Sequence, residues 1–259
     1  MTAQSIFTLQ EGSFVPTEFA RGPWDPGALH GGAAAALIVE ELERLHPTPD
    51  LRTGRLSFQF LRPVPAAPLT LSTEVVRPGR RVQEFAAELR SGQALVCRAK
   101  SLRVQALSGD LGQRGPQNDM PGPEEGNAVR FALDDPDEPS FATAMDMRWL
   151  TEPFSLGPGG VWMRLRVPLL PERPASPLAL LAAVCDFGNG VSSELRFDRY
   201  LFINADLTLH LQRCPEGEWA GIDARTLLCP DGAGLAESVA HDIQGPVGRS
   251  FQTLVVQPR

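Results

Sequence analysis

The sequence predicts an α+β fold in which two antiparallel sheets each wrap a central helix. Three observations predict it. Two segments read as helices: residues 33–45, opened by four alanines, and Leu178–Phe187, which is apolar almost all round and must be wrapped by something. Each is followed by a meander of long segments with β character, separated by turn signals such as Arg77-Pro78-Gly79 and Cys229-Pro230-Asp231-Gly232. The helix-then-meander order occurs twice, on either side of a Gly/Pro-rich stretch without hydrophobic period. Helix first and then a meander is the order of a hotdog fold, and its repetition predicts a double hotdog: 1–104, a linker over 105–140, and 141–259.

In the first half, Phe14–Phe19 reads as an early strand, and Trp24-Asp25-Pro26-Gly27-Ala28-Leu29-His30-Gly31-Gly32 leads into the first helix. Leu37, Ile38, Leu42 and Leu45 recur at helical spacing, and His46-Pro47 ends the helix because proline cannot continue it. Strands follow at Thr53–Arg62, Leu69–Arg77, Val82–Arg90 and Ala94–Val104. In the second half, Ala142–Thr151 is the early strand, Ser176 the helix N-cap, Pro177 the first helical residue and Gly188 the stop. Strands follow at Asn204–Arg213, Glu218–Leu227, Leu235–Asp242 and Gly248–Val256.

Charge and cysteine usage exclude several function classes. The net charge is −7, of which −6 falls in residues 105–140, leaving the rest near neutral; a broad nucleic-acid footprint is therefore not expected. No apolar run approaches the ~18 residues that suggest a membrane span, and the first residues lack a signal-peptide layout, so a cytoplasmic protein is expected. Cys97, Cys185, Cys214 and Cys229 form no ligand or redox spacing, and His210 and His241 lie near no such cluster, so neither a metal nor a cofactor is expected.

Two features point to chemistry. The paired Gly31-Gly32 at a helix start would let a ligand approach bare backbone amides, where unpaired N–H groups and the helix dipole favour an oxyanion. The second feature is an asymmetry between the halves. At an offset of 150 residues Asp206 falls opposite Leu56 and Thr226 opposite Val76, and near the last strand Gln252 falls opposite Lys100 or Ala99. Asn204 and Asp206 share one face of a regular strand. A carboxylate, a hydroxyl and a carboxamide together can hold a water, accept its proton and orient it, and no covalent nucleophile with a paired base is evident.

On the His30-Gly31-Gly32 helix entry, the Phe58-Gln59-Phe60-Leu61-Arg62-Pro63 strand, Asn204-Ala205-Asp206, and Gly248-Arg249-Ser250-Phe251-Gln252-Thr253, the chain resembles the acyl-CoA thioesterase II family of double-hotdog enzymes. The resemblance implies hydrolysis of acyl-CoA thioesters by a water activated by an Asp, a Thr or Ser, and a Gln of the second hotdog. By position these look like Asp206, Thr226 and Gln252, with Asn204 the alternative occupant of the acidic position. Gly31 and Gly32 would stabilise the oxyanion, a donor role worth about 2.7–4 kcal/mol where one has been deleted in other enzymes. His30, Trp24, Phe58 and Phe60 are candidates for lining the acyl slot, and Arg77, Arg80 and Arg81 for holding the CoA phosphates.

Two rivals use the same fold. Asp25 and His30 have the Asp-x4-His spacing of hotdog enoyl-CoA hydratases, though Pro26-Gly27-Ala28-Leu29 lack the Asn-Pro core of that motif. A non-catalytic binder of acyl-CoA or a lipid-like ligand is the other, favoured if Asn204 takes the carboxylate's place. Exposed sheet edges invite pairing, so a homodimer or homotetramer is expected.

Overall fold

The computed structural model describes residues 4–106, 120–129 and 138–259. Most of the linker expected over 105–140 lies outside these residues. Its described part holds a short strand, β7 in the order below, and places the Pro121 carbonyl 2.7 Å from Trp162 Nε1.

The first half runs β1 (Phe7–Gln10), β2 (Ser13–Pro16), α1 (Gly31–Leu45), β3 (Leu51–Phe60), β4 (Thr70–Arg77), β5 (Val82–Ser91) and β6 (Ala94–Gln105). There follow β7 (Asn127–Ala128), β8 (Met145–Trp149), β9 (Gly159–Leu165), α2 (Pro177–Cys185), α3 (Gly188–Val191), β10 (Tyr200–Asn204), β11 (Asp206–Leu211), β12 (Ala220–Leu228), β13 (Ala233–Asp242) and β14 (Gly245–Pro258). The chain adopts the double hotdog. Strand order β4-β5-β6-β3 in one half is matched by β12-β13-β14-β11 in the other, and β9, β8 and β7 extend the second block. The two sheets are continuous: β3 pairs antiparallel with β11, Ser57 opposite Thr208, and joins them edge to edge.

Within this curved sheet α1 lies against β5, α2 against β12, and the two helices pack on each other. Their close approach requires Gly32, where a Cβ would sit 2.6 Å from the Ala183 carbonyl oxygen. Ala33–Ala36 favour helix and present little bulk at this contact. Every residue of α2 from Leu178 to Cys185 is buried, at about 1.5–3 kcal/mol for each large aliphatic side chain removed from water. A single core cluster spans both halves.

The structure departs from the sequence reading in four places. Phe14–Phe19 is not one strand: its first residues end β2, the second strand of a β1–β2 hairpin, and its last enter a 3-10 turn, Glu18–Ala20. β9 was not foreseen; its burial on both faces hides the alternation that marks a strand. The helix expected to reach Phe187 ends at Cys185 and resumes as α3 from Gly188. The strand expected over Asn204–Arg213 breaks at Ala205 into β10 and β11, both paired with β14. The last two departures build the site.

Candidate active site

At the break after β10 the sheet splits. β11 stays paired with β3 as far as Asp206 opposite Gln59, and the Phe60 amide bonds the Ala205 carbonyl at 2.9 Å. Beyond that point β10 pairs only with β14, while the chain after Phe60 turns back toward Val96. A cavity of about 470 Å³ enters between them, within the usual range for small-molecule sites. Leu29, Phe60, Val64, Leu201 and Ile203 form apolar walls, Trp24 stands to one side, and Arg62 lies exposed among the lining residues.

The cavity reaches the N-terminus of α1 and the C-terminal end of α2. His30 is the N-cap of α1; its Nδ1 lies 3.0 Å from the Gly32 amide and 3.1 Å from Asp186 Oδ2. The Asp186 carboxylate is 3 % exposed, and its Oδ1 accepts from Asn204 Nδ2 at 2.9 Å. Gly31 makes room for it: a Cβ there would meet Asp186 Oδ2 at 2.8 Å and Phe60 Cζ at 3.1 Å. Gly31, as the first residue of the helix, has an amide that no intrahelical carbonyl can reach.

The break between α2 and α3 aims Asp186 at this point. Interrupting the helix leaves the Asn189 amide and the Asp186 carbonyl outside the regular ladder, and one side chain takes both. Gln252, 1 % exposed on β14, accepts from Asn189 N at 2.9 Å and donates to Asp186 O at 3.1 Å. Gly188 lets it approach, since a Cβ there would lie 2.7 Å from Gln252 Oε1. Thr226 of β12 bonds Ser192 Oγ at 2.8 Å, just after α3, and Asn189 Nδ2 donates to the Phe202 carbonyl at 3.0 Å.

The structure brings some of the residues singled out from sequence to the cavity and leaves others away from it. The carboxylate at the cavity is Asp186; Asp206 Oδ1 accepts from the Thr253 amide at 2.7 Å and does not line the cavity. The cause is the break at Ala205, which turns apart two residues that share a face in a regular strand. Asn204 stands at the cavity beside Asp186, whereas Thr226 and Gln252 are buried behind it. Gly31 faces the cavity, but the Gly32 amide is engaged by His30. Trp24, His30 and Phe60 line the cavity; Phe58, 1 % exposed, packs in the core.

Arg77, Arg80 and Arg81 do not line the cavity. They sit at the β4–β5 turn, where Val82 pairs with Val104 and Val104 with Arg52 at the start of β3. The cavity takes Phe60, eight residues along that strand and so about 26 Å away. Asp25 Oδ1 accepts from Gly27 N at 2.8 Å, and the acid that His30 faces is Asp186. The Asp25/His30 pairing of the hydratase reading is thus not formed. Among the described residues no cluster suited to a metal ion occurs, and no helix is long and apolar enough to cross a membrane.

Sequence reasoning missed Asp186 because it sits in a segment read as a buried helix. A signal was present, since Asp186 is the only charged residue from Pro177 to Ser193. A lone acid there needs buried partners.

Comparison with known proteins follows the same division of the chain. The model of the acyl-CoA thioesterase N-terminal domain matches residues 20–106, and that of the C-terminal domain matches residues 121–256. Among curated proteins none matches the chain by sequence. Among solved structures, a hotdog-fold protein of unknown function from Alicyclobacillus acidocaldarius superposes with a TM-score of 0.72 at 17 % identity, over 98 % of this chain and 95 % of that one. Acyl-CoA thioesterase II TesB2 from Mycobacterium marinum gives 0.66 at 19 % identity, over 90 % and 91 %. The tesB protein of Mycobacterium avium subspecies paratuberculosis gives 0.67 at 15 %, over 96 % and 94 %. With both halves matched by its domain models, the chain belongs to the TesB-like family of double-hotdog acyl-CoA thioesterases.

Proposed function

We propose that this protein hydrolyses acyl-CoA thioesters with Asp186 as the general base for a single water. The observation that carries the reading is a nearly sealed carboxylate, 3 % exposed, set against the bare Gly31 backbone where the cavity meets the N-terminus of α1. A water held by Asp186 attacks the thioester carbonyl and gives up its proton to the carboxylate as the O–C bond forms. Negative charge then develops on the carbonyl oxygen, and in this reading the Gly31 N–H at the positive end of the helix receives it. Asn204 holds one carboxylate oxygen, which limits rotation of the base.

The acyl chain occupies the slot lined by Phe60, Leu201 and Ile203, and Arg62, a cation among the lining residues, is available to a CoA phosphate. Gln252 acts as a positioning residue through the backbone of Asp186 and Asn189, and Thr226 through Ser192.

The test is release of free CoA thiol from acyl-CoAs of graded length. Asp186→Asn is expected to lower kcat by about 10²–10⁴-fold, the usual worth of a general base, with the fold retained. Unchanged turnover in that variant would remove Asp186 from the reaction. Hydration of an enoyl-CoA without thiol release would replace hydrolysis by the hydratase reading.

A further inference from the structure

We infer that His30 is the general acid that protonates the departing thiolate, fed at its other nitrogen by the proton Asp186 takes from water. The inference rests on the hydrolysis reading above and assigns a step that reading leaves open, because a CoA thiolate expelled into a largely apolar cavity needs a proton.

The geometry at His30 is that of a two-ended group. Nδ1 has room for one lone pair or one hydrogen, yet it lies 3.0 Å from a donor, the Gly32 amide, and 3.1 Å from Asp186 Oδ2. With a lone pair it caps the helix; with a hydrogen it bonds the carboxylate. The two arrangements differ by one proton and no heavy-atom movement. A proton arriving on Asp186 therefore has an acceptor already in contact, and capping of α1 yields as it moves. The other nitrogen, Nε2, has no hydrogen-bond partner among the described residues and is not among their buried, unbonded polar atoms. The ring lines the cavity, is 12 % exposed, and is held in place by Phe187 at 4.3 Å and Phe141 at 5.0 Å between centroids.

The step balances. The water oxygen bonds the acyl carbon as one water proton passes to Asp186. The C–S bond then breaks with its electron pair going to sulfur, which takes the Nε2 proton of His30. Asp186 passes its proton to Nδ1, leaving neutral imidazole with the hydrogen on the opposite nitrogen. The second water proton leaves the reaction centre on the carboxylic acid product, which ionises onto Nε2, while the Nδ1 proton returns through Asp186 to solvent. The sum is thioester plus water giving carboxylate, thiol and one proton.

A general acid matters only for a leaving group that needs one, and this separates catalysis from helix capping. The experiment compares one acyl group on CoA and on 4-nitrothiophenol, whose thiolate departs without protonation. The variant is His30→Asn, because Asn is as good an N-cap as any and can keep the Gly32 amide bonded. His30→Ser, a second capping residue with no nitrogen, guards against a folding artefact in the first. Both variants are expected to lose about 10²–10³-fold in kcat on the acyl-CoA and under about 10-fold on the aryl thioester. Asp186→Asn is expected to lose similar factors on both. Equal losses in the His30 variants on the two substrates, or no loss on either, would overturn the proposal and leave His30 as a cap. A wild-type protein inactive on both thioesters would instead overturn the hydrolysis reading, and this inference with it.

Discussion

At the scale of single residues the site depends on one missing side chain. Gly31 is required because an acid and a helix start compete for the same space: the Cβ of any other residue would lie 2.8 Å from Asp186 Oδ2 and 3.1 Å from Phe60. Gly31→Ala is therefore expected to displace the carboxylate and to lower kcat by more than about 10-fold, since misplacement of a reacting group by about 1 Å can cost 10²-fold. A thermal melt alongside the assay checks that the fold survives. Asp206 makes the opposite case. Its carboxylate accepts one backbone amide, a duty that the carbonyl of Asn can perform, so Asp206→Asn is expected to retain activity within a few-fold. A loss comparable to that of Asp186→Asn would return Asp206 to the reaction.

At the scale of elements the geometry of the candidate site is made by two interruptions. The break between α2 and α3 brings Asp186 to the foot of α1, and the break at Ala205 separates β10 from β3 and opens the cavity. Gln252 stabilises the first by bonding the two backbone groups that the helix releases. Gln252→Ala would leave both buried and unpaired, and is expected to cost about 1–3 kcal/mol per group in stability, read by chemical denaturation. Activity should fall with it if Asp186 is the base, because its carboxylate moves when its backbone does. An unaltered midpoint would show that the break holds without the carboxamide. Neither interruption belongs to the repeating pattern of its element, so neither is visible in periodicity.

At the scale of the whole molecule, the second half carries a polar core element whose protonation is linked to folding. His241 is 1 % exposed, its Nε2 has no partner among the described residues, and it stands 6.3 Å from Trp162. Burial pushes its pKa below the ordinary histidine value; Asp223 and Asp242 oppose this and Arg213 adds to it. Asp242 beside it is also buried, but hydrogen bonds from Arg213 and from the Glu216 and Gln244 amides outweigh that burial and hold its carboxyl below the usual range. Both shifts have the same sign in their effect. For His241 the unfolded chain binds the proton first, so stability is whole above the unfolded histidine value of about 6.5 and declines as pH falls toward the folded value. For Asp242 the loss begins below the unfolded value of about 3.9. The melting temperature is expected to drop between pH 7 and pH 5, and His241→Phe to flatten that decline. A profile unchanged by the substitution would exclude His241 as its source.

By itself the sequence determined the double hotdog, because helix, meander and turn signals are local patterns and each occurs twice. It determined a helix entry, since His30-Gly31-Gly32 precedes an alanine run, and the structure starts α1 at Gly31 with His30 as its cap. Only the tertiary structure decided which acid stands there. Asp186 and Gly31 are separated by 154 positions and meet because two helices, packed side by side inside a continuous sheet, bring the end of one to the beginning of the other. The choice of Asp186 over Asp206 turns on a helix that stops two residues early and a strand that breaks at one alanine. Such irregularities are fixed by long-range hydrogen bonds from Gln252 and Thr253, which no local pattern records.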